Sequence, residues 1–308
     1  MHIFIAGATS SGMSRGLSTY NRITPREQYA TEFDTPHILE SFHYIGNPKL
    51  VDSLRANGKT LFLDSGAFSA HSLGAVIDIT EYCDYVKRNY DLWRVEDGVS
   101  MFSVLDGIGD PQKTLENQWE MERQGVRPLP CFHFGEDEKY LEYYINNYPY
   151  ITIGGCVGRH PNDLIIWLDR IWSRYLTDEN GKAKVKVHGF GLTSVEIMER
   201  YPWFSVDSSS WVQTAAYGSI SLMGYGTLAI STQSPNRHNA GQHIENISEI
   251  ERQTVLKWIA DDHWDFARLS TKMESRAAYN MRYYRLLNLQ INAKKEKKPT
   301  KVIIQELF

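Results

Sequence analysis

The chain has 308 residues, 42% of them hydrophobic, and a net charge of −4 at neutral pH. That length allows one large domain with a substantial core, and the charge argues against a uniformly basic nucleic-acid binder, so any such contact needs a local basic face. The three widely spaced cysteines Cys83, Cys131 and Cys156 are odd in number, which argues against a disulfide scaffold and fits a reducing compartment.

The first residues, Met1 to Gly7, are too short and uncharged for a signal peptide. No apolar run approaches a membrane span, so a soluble, cytoplasmic protein is expected. Residues 2–6 read as a strand, followed by Gly7 to Gly12, which lacks the lysine of a phosphate loop and is given no nucleotide role. The next clear strand is 60–64. Residues 78–93 have helical spacing, with Ile79, Tyr82, Cys83, Val86 and Tyr90 on one face. Val99 to Leu105 reads as a strand ending at Asp106. Asp110-Pro111 opens a helix that stops at Gly125. A strand over Leu129 to Phe134 and a helix over 137–147 follow. Then come a strand from Tyr150 to Ile153 ending at Gly154-Gly155, and a helix capped by Asn162 that runs to Tyr175. Val185 to His188 is a strand, and Thr193 with Glu196 has capping-box spacing for a helix to Arg200. The strand Trp203 to Val206 ends at Asp207.

This alternation implies a parallel sheet, and at least six such units point to a closed (β/α)8 TIM-like barrel. Residues 1–247 are assigned to the barrel, with a loop-rich, hairpin-bearing insertion at 208–247. Residues 248–308 are assigned to C-terminal helices, with Ser248 as a cap, and a basic tail packed on the barrel. The run Lys294 to Lys301 reads as a solvated linker.

In a parallel barrel the C-terminal strand ends converge on one mouth. They list as Asp64, Asp106, His133, Gly154-Gly155, His188 to Gly191, and Asp207. A strand-end aspartate also serves as a helix cap or turn former. Two of them suit a nucleophile and an acid/base acting on one bond.

Asp64-Ser65-Gly66-Ala67-Phe68 resembles the Asp-Ser-Gly-Gly-Phe segment of the tRNA-guanine transglycosylase superfamily. Gly154-Gly155-Cys156-Val157-Gly158 is similar to its Gly-Gly-Leu-Ala-Val-Gly loop, one residue shorter. His188-Gly189-Phe190-Gly191, a helix and Phe204 to Asp207 are similar to its Met-Gly-Val-Gly, helix, Phe-Asp arrangement. The resemblance covers about residues 60–211. It implies Asp207 as the nucleophile and Asp64 as the acid/base. It also implies a base pocket from Asp106, His133, Gly154, Gly155, Ser65, Phe68 and Cys156. His133 is placed at the carbonyl edge of the base, with Phe134 the alternative if the alignment shifts by one. Phe68 or Tyr217 would sandwich the base.

Two departures narrow the resemblance. The tRNA enzymes bind a structural zinc through a Cys-X-Cys-X-X-Cys motif after the nucleophile, whereas here no cysteine follows Cys156, so no zinc subdomain, metal or cofactor is expected. Their Pro-Thr-Arg is replaced by Ser208-Ser209-Ser210-Trp211. The chain therefore looks most like the phage and bacterial DNA-guanine transglycosylases, which insert a 7-deazaguanine into DNA; if phage-encoded, it would act in the host cytoplasm. The target guanine must then be flipped or single-stranded. Candidate phosphate contacts are Arg237, Arg282 and Arg285, with Arg268, Lys272 and Arg276 behind them, although ordinary surface charge accounts for any one of these. A zinc-free tRNA enzyme and a barrel glycoside hydrolase using the two aspartates stand as alternatives.

Overall fold

A computed structural model describes residues 1–8, 24–32, 37–45, 48–56 and 58–297. Thr9 to Gly12 of the first glycine loop and the tail beyond Lys297 lie outside the described residues. The chain divides into two compact units. The first comprises Met1–Gly7, His37–Ser208 and Ile291–Phe308, and the second Ala8–Pro36 and Ser209–Gln290. The division thus falls after Ser208 and within the last helix, whereas composition had suggested 247. Among the described residues no helix is long and apolar enough to cross a membrane.

The first unit is built on a seven-stranded parallel sheet. Its strands are β1 (His2–Ala6), β2 (Ile38–Ser41), β3 (Leu61–Asp64), β6 (Cys131–His133), β7 (Tyr150–Gly154), β8 (Lys186–Gly189) and β9 (Ser205–Ser208). They lie in the order β3-β2-β1-β9-β8-β7-β6. Every residue of β7 and β9 is buried, as expected where helices cover both faces of a parallel sheet.

The sheet is strongly curled. Phe62 of β3 and His188 of β8 are four strands apart in the order, so a flat sheet would separate them by about 19 Å. Their ring centroids are 4.6 Å apart. The concave side is filled by Phe4, Leu39, Phe62, Met101, Leu129 and Tyr150, with Phe190 and Phe204 packed against them.

The expected strand over 99–105 is broken up. Val99–Ser100 (β5) pairs antiparallel with Val95–Glu96 (β4). The chain then bonds alternately to two neighbours instead of forming one regular ladder. Leu63 N–H donates to the Met101 carbonyl at 3.0 Å, and Ser103 N–H to Leu63 at 2.9 Å. On the other side Leu129 N–H donates to Phe102 at 2.8 Å, and Val104 N–H to Leu129 at 3.0 Å.

Local chemistry sets the helix starts. Asp110 accepts from Lys113 N–H and Pro111 occupies the first turn, as expected. Two caps differ from the sequence reading. His160, not Asn162, caps the helix Pro161–Ile171, because Pro161 suits the first helical position and so places the cap immediately before it. That helix ends in a wider π turn, Trp172–Leu176. Ser194, not Thr193, caps Val195–Arg200 by accepting from Ile197 N–H.

The second unit contains the helix Ser210–Ala216, the antiparallel hairpin of β10 (Ser219–Leu222) and β11 (Gly226–Ala229), and the helices Glu249–Asp261 and Phe266–Thr271. It also holds most of the helix Met273–Lys297. Ser248 and Glu251 form a capping box. Ile220, Leu228, Val255, Ile259, Trp264 and Leu269 make its core.

Candidate functional site

Asp64 is the last residue of β3, and its carboxylate is tied into the turn that follows. Its Oδ2 accepts from Gly66 N–H at 3.0 Å and its Oδ1 from the Ser103 hydroxyl at 3.4 Å. Gly66 has φ +78°, and a Cβ there would lie 2.3 Å from Ser41 Oγ, so only glycine fits. Ser65 is fully buried; its N–H donates to Ser103 Oγ and its hydroxyl accepts weakly from Ala67 N–H. Phe68, one turn on, is 65% exposed. Burial, with Asp106 and Asp207 close enough to repel a second and third charge, pushes the Asp64 carboxyl up to about 7.

Asp207 sits in β9 and is buried. Its Oδ1 accepts from Gly191 N–H at 2.8 Å and lies 3.3 Å from His188 Nε2. His188 is fully enclosed in β8, and burial lowers its pKa despite the nearby Asp207. Its Nδ1 is 2.7 Å from Ser205 Oγ, which is 2.6 Å from the Tyr150 hydroxyl. A carboxylate only accepts, so Nε2 carries the proton of the neutral ring and Nδ1 accepts from Ser205. Tyr150 then donates to Ser205. The chain Tyr150, Ser205, His188, Asp207 is thereby fully satisfied and points at the carboxylate.

His133 closes β6. Glu136 clamps it twice, accepting from its backbone N–H at 2.9 Å and approaching its ring Nδ1 at 3.0 Å. Its Nε2 lies 3.3 Å from Asp106 Oδ2 and 3.5 Å from Cys131 Sγ. Both ring nitrogens are thus engaged inside the chain, Nδ1 by Glu136 and Nε2 by Asp106 and Cys131. Burial works against an imidazolium here, but Cys131 and Asp106 outweigh it and raise the His133 pKa. The Cys131 thiol is itself pushed up to about 11 by burial and carries no charge at neutral pH, so there Asp106 is the effective partner. Asp106 Oδ1 is buried and has no hydrogen-bond partner among the described residues.

The close approach that glycine permits at position 154 is used by this cluster. A Cβ on Gly154 would lie 2.8 Å from His133 Cδ2 and 3.1 Å from Cys131 Sγ. Gly155 is exposed and has φ +71°. Cys156 is buried, and burial pushes its thiol up to about 12.

Asp64, Asp106 and Asp207 are therefore brought into one electrostatic neighbourhood at the C-terminal ends of the strands. Glu136 was missed as a site residue; its signal was a carboxylate three positions after a strand-end histidine. The candidate phosphate contacts lie in the second unit and are largely occupied. Arg237 pairs with Glu245 at 3.3 Å and Arg282 with Asp262 at 2.6 Å. Arg268 pairs with Glu27 at 2.9 Å, and Arg276 is buried against the Ala215 and Leu269 carbonyls. Arg285 is half-buried and Lys272 exposed. Tyr217, also of the second unit, is 63% exposed. Compared with known proteins, the sequence matches no family model and no curated protein.

Proposed function

We propose that this chain is a base-exchange transglycosylase that replaces guanine in DNA with a 7-deazaguanine through a covalent bond to Asp207. The observation that carries this reading is the Asp64 carboxyl. It is held near 7 at a strand end, by burial and by Asp106 and Asp207. A carboxyl with that pKa donates a proton near neutral pH and takes one back, which is what a departing and an entering base require.

The steps follow from the side chains. Asp207 attacks C1′ of the target nucleotide, the glycosidic electron pair leaves with guanine, and Asp64 supplies the proton to the departing base. The entering base gives a proton to Asp64 and displaces Asp207 from C1′. Gly191 N–H and His188 hold the Asp207 carboxylate in place for attack. Asp106 Oδ1, buried without a donor, suits the amino edge of the base. Phe68 offers a face for stacking. A nucleotide within a duplex must be flipped out to reach such a site.

The same reading takes the curled sheet as a closed (β/α)8 barrel. The support is Met101 to Val104, which hydrogen-bonds to Leu63 of β3 on one side and to Leu129, just before β6, on the other.

The test is guanine release from labelled duplex DNA, single-stranded DNA and tRNA, each offered 7-cyano-7-deazaguanine. Release from DNA alone, lost in Asp207→Asn, is the expected result. Release from tRNA alone would move the substrate to RNA. Release from none, with hydrolysis of an oligosaccharide instead, would favour a glycosidase.

A further inference from the structure

We propose that Asp106, Cys131 and His133 bind a zinc ion at the C-terminal end of β6. The inference goes beyond base exchange: neither the nucleophile Asp207 nor the acid Asp64 is a ligand, and Asp106, set against the base through Oδ1 in the reading above, meets the ion through Oδ2. The ligand atoms, one from each of the three residues, all lie within 4.8 Å of one another.

Two of the three ligand spacings match the ion closely, and the third lies within 4.8 Å. With Zn–S about 2.3 Å and Zn–N and Zn–O about 2.0–2.1 Å, tetrahedral angles put sulfur and nitrogen about 3.6 Å apart and nitrogen and oxygen about 3.3 Å apart. Cys131 Sγ is 3.5 Å from His133 Nε2, and Asp106 Oδ2 is 3.3 Å from the same nitrogen. A thiolate, an imidazole and a carboxylate together suit zinc over the hard cations that prefer all-oxygen sites.

The surroundings point the same way. Glu136 lies against His133 Nδ1 and holds a proton there, so the proton that zinc displaces is the one on Nε2, which faces the cluster. A carboxylate behind a ligating histidine is the usual support of a metal site. A protonated His133 bridging Glu136 and Asp106 would explain the two N···O contacts. It leaves unexplained the sulfur placed against the same nitrogen. Gly154 leaves room for the imidazole and the sulfur, which a side chain there would displace. Three protein ligands leave a fourth position for water or a ligand atom. The Asp106 and His133 side chains keep 13% and 19% of their exposure, so the site is reachable. On binding, the Cys131 S–H and His133 Nε2–H bonds break, both protons go to solvent, and the S–Zn and N–Zn bonds form.

The experiment uses the full chain stripped with a chelator and titrated with Zn²⁺ and, as a spectroscopic probe, Co²⁺. The expected result is one ion per chain, with a thiolate-to-cobalt charge-transfer band and the intense visible bands of a tetrahedral site. Cys131→Ser should abolish the charge-transfer band, while Cys83→Ser and Cys156→Ser keep it. Glu136→Gln, which leaves all three ligands in place, should weaken zinc binding roughly 10- to 100-fold. This variant carries the test if Cys131→Ser does not fold. Absence of the band in the wild-type chain, its survival in Cys131→Ser, or unchanged affinity in Glu136→Gln would overturn the proposal. None of these readouts depends on base exchange, so the two ideas fail separately.

Discussion

His188 Nε2 stands 3.3 Å from Asp207 Oδ1, at the end of a buried relay that begins at the Tyr150 hydroxyl. The ring touches the carboxylate and, in the reading above, orients it. His188→Phe would remove one donor from Asp207 and leave Ser205 without its acceptor. We expect a loss of about 1–3 kcal/mol in stability. We also expect a roughly tenfold or greater fall in kcat with KM little changed. A fall in stability alone, with kcat intact, would reduce His188 to a core residue.

Asp207→Asn keeps the shape of the side chain but removes the nucleophile. Turnover should fall by roughly 10³-fold or more, and no protein–DNA adduct should survive on a denaturing gel. Retention of the adduct would move the nucleophile elsewhere, with Asp64 the next candidate.

The Asp64 carboxyl, ordinarily near 3.8, is raised to about 7, with burial, Asp106 and Asp207 pushing it up while Gly66 N–H and Ser103 oppose them. Between these values the folded chain holds a proton that the unfolded chain releases. Stability from this group is therefore fully present below about pH 4 and falls as pH rises to about 7, by on the order of a few kcal/mol in all. Asp64→Asn should flatten that part of the profile, so that its stability relative to the wild type improves from pH 5 to pH 8 in denaturant titrations run with chelator. Base exchange should decline as pH rises through about 7, since the acid form of Asp64 is lost. A profile flat across that range would dismiss Asp64 as the acid.

Gly66→Ala tests the turn that holds Asp64. The left-handed φ and the 2.3 Å approach to Ser41 Oγ both penalise a side chain. Stability should drop by roughly 2 kcal/mol or more, and the turn should shift enough to cut exchange. A neutral outcome would mean the turn relaxes freely.

Closure of the sheet can be read from amide exchange. Leu63, Ser103, Val104 and Leu129 donate across the junction. If the barrel is closed, these four amides should exchange as slowly as those in the middle of β1. Fast exchange at Ser103 and Leu129 would mean that β3 and β6 are open edges.

The strands that carry the two aspartates were legible because each is a short apolar run ending in a carboxylate. β2 was not read. It has only four residues, and the charged Glu40 within it is fully buried, which masks the pattern of a buried strand. The convergence of Asp64, Asp106 and Asp207 followed from the βα alternation alone. The clamp on His133 did not, because its one signal, a carboxylate three positions after a strand-end histidine, is shared with ordinary turn and cap residues. The cap at 194 turns on which of two adjacent polar residues faces the first turn, a choice made by backbone geometry, and the cap at 160 on Pro161 taking the first helical position.

Gly154 has a consequence for how this site can vary. Its bare Cα is the floor on which the His133 ring and the Cys131 sulfur rest. Alanine at 154 with histidine kept at 133 should be destructive, while alanine paired with a smaller residue at 133 should be tolerated. Positions 131, 133 and 154 therefore accept change only in combination. In a library randomised at all three, the surviving variants should show strong pairwise covariation and few single replacements.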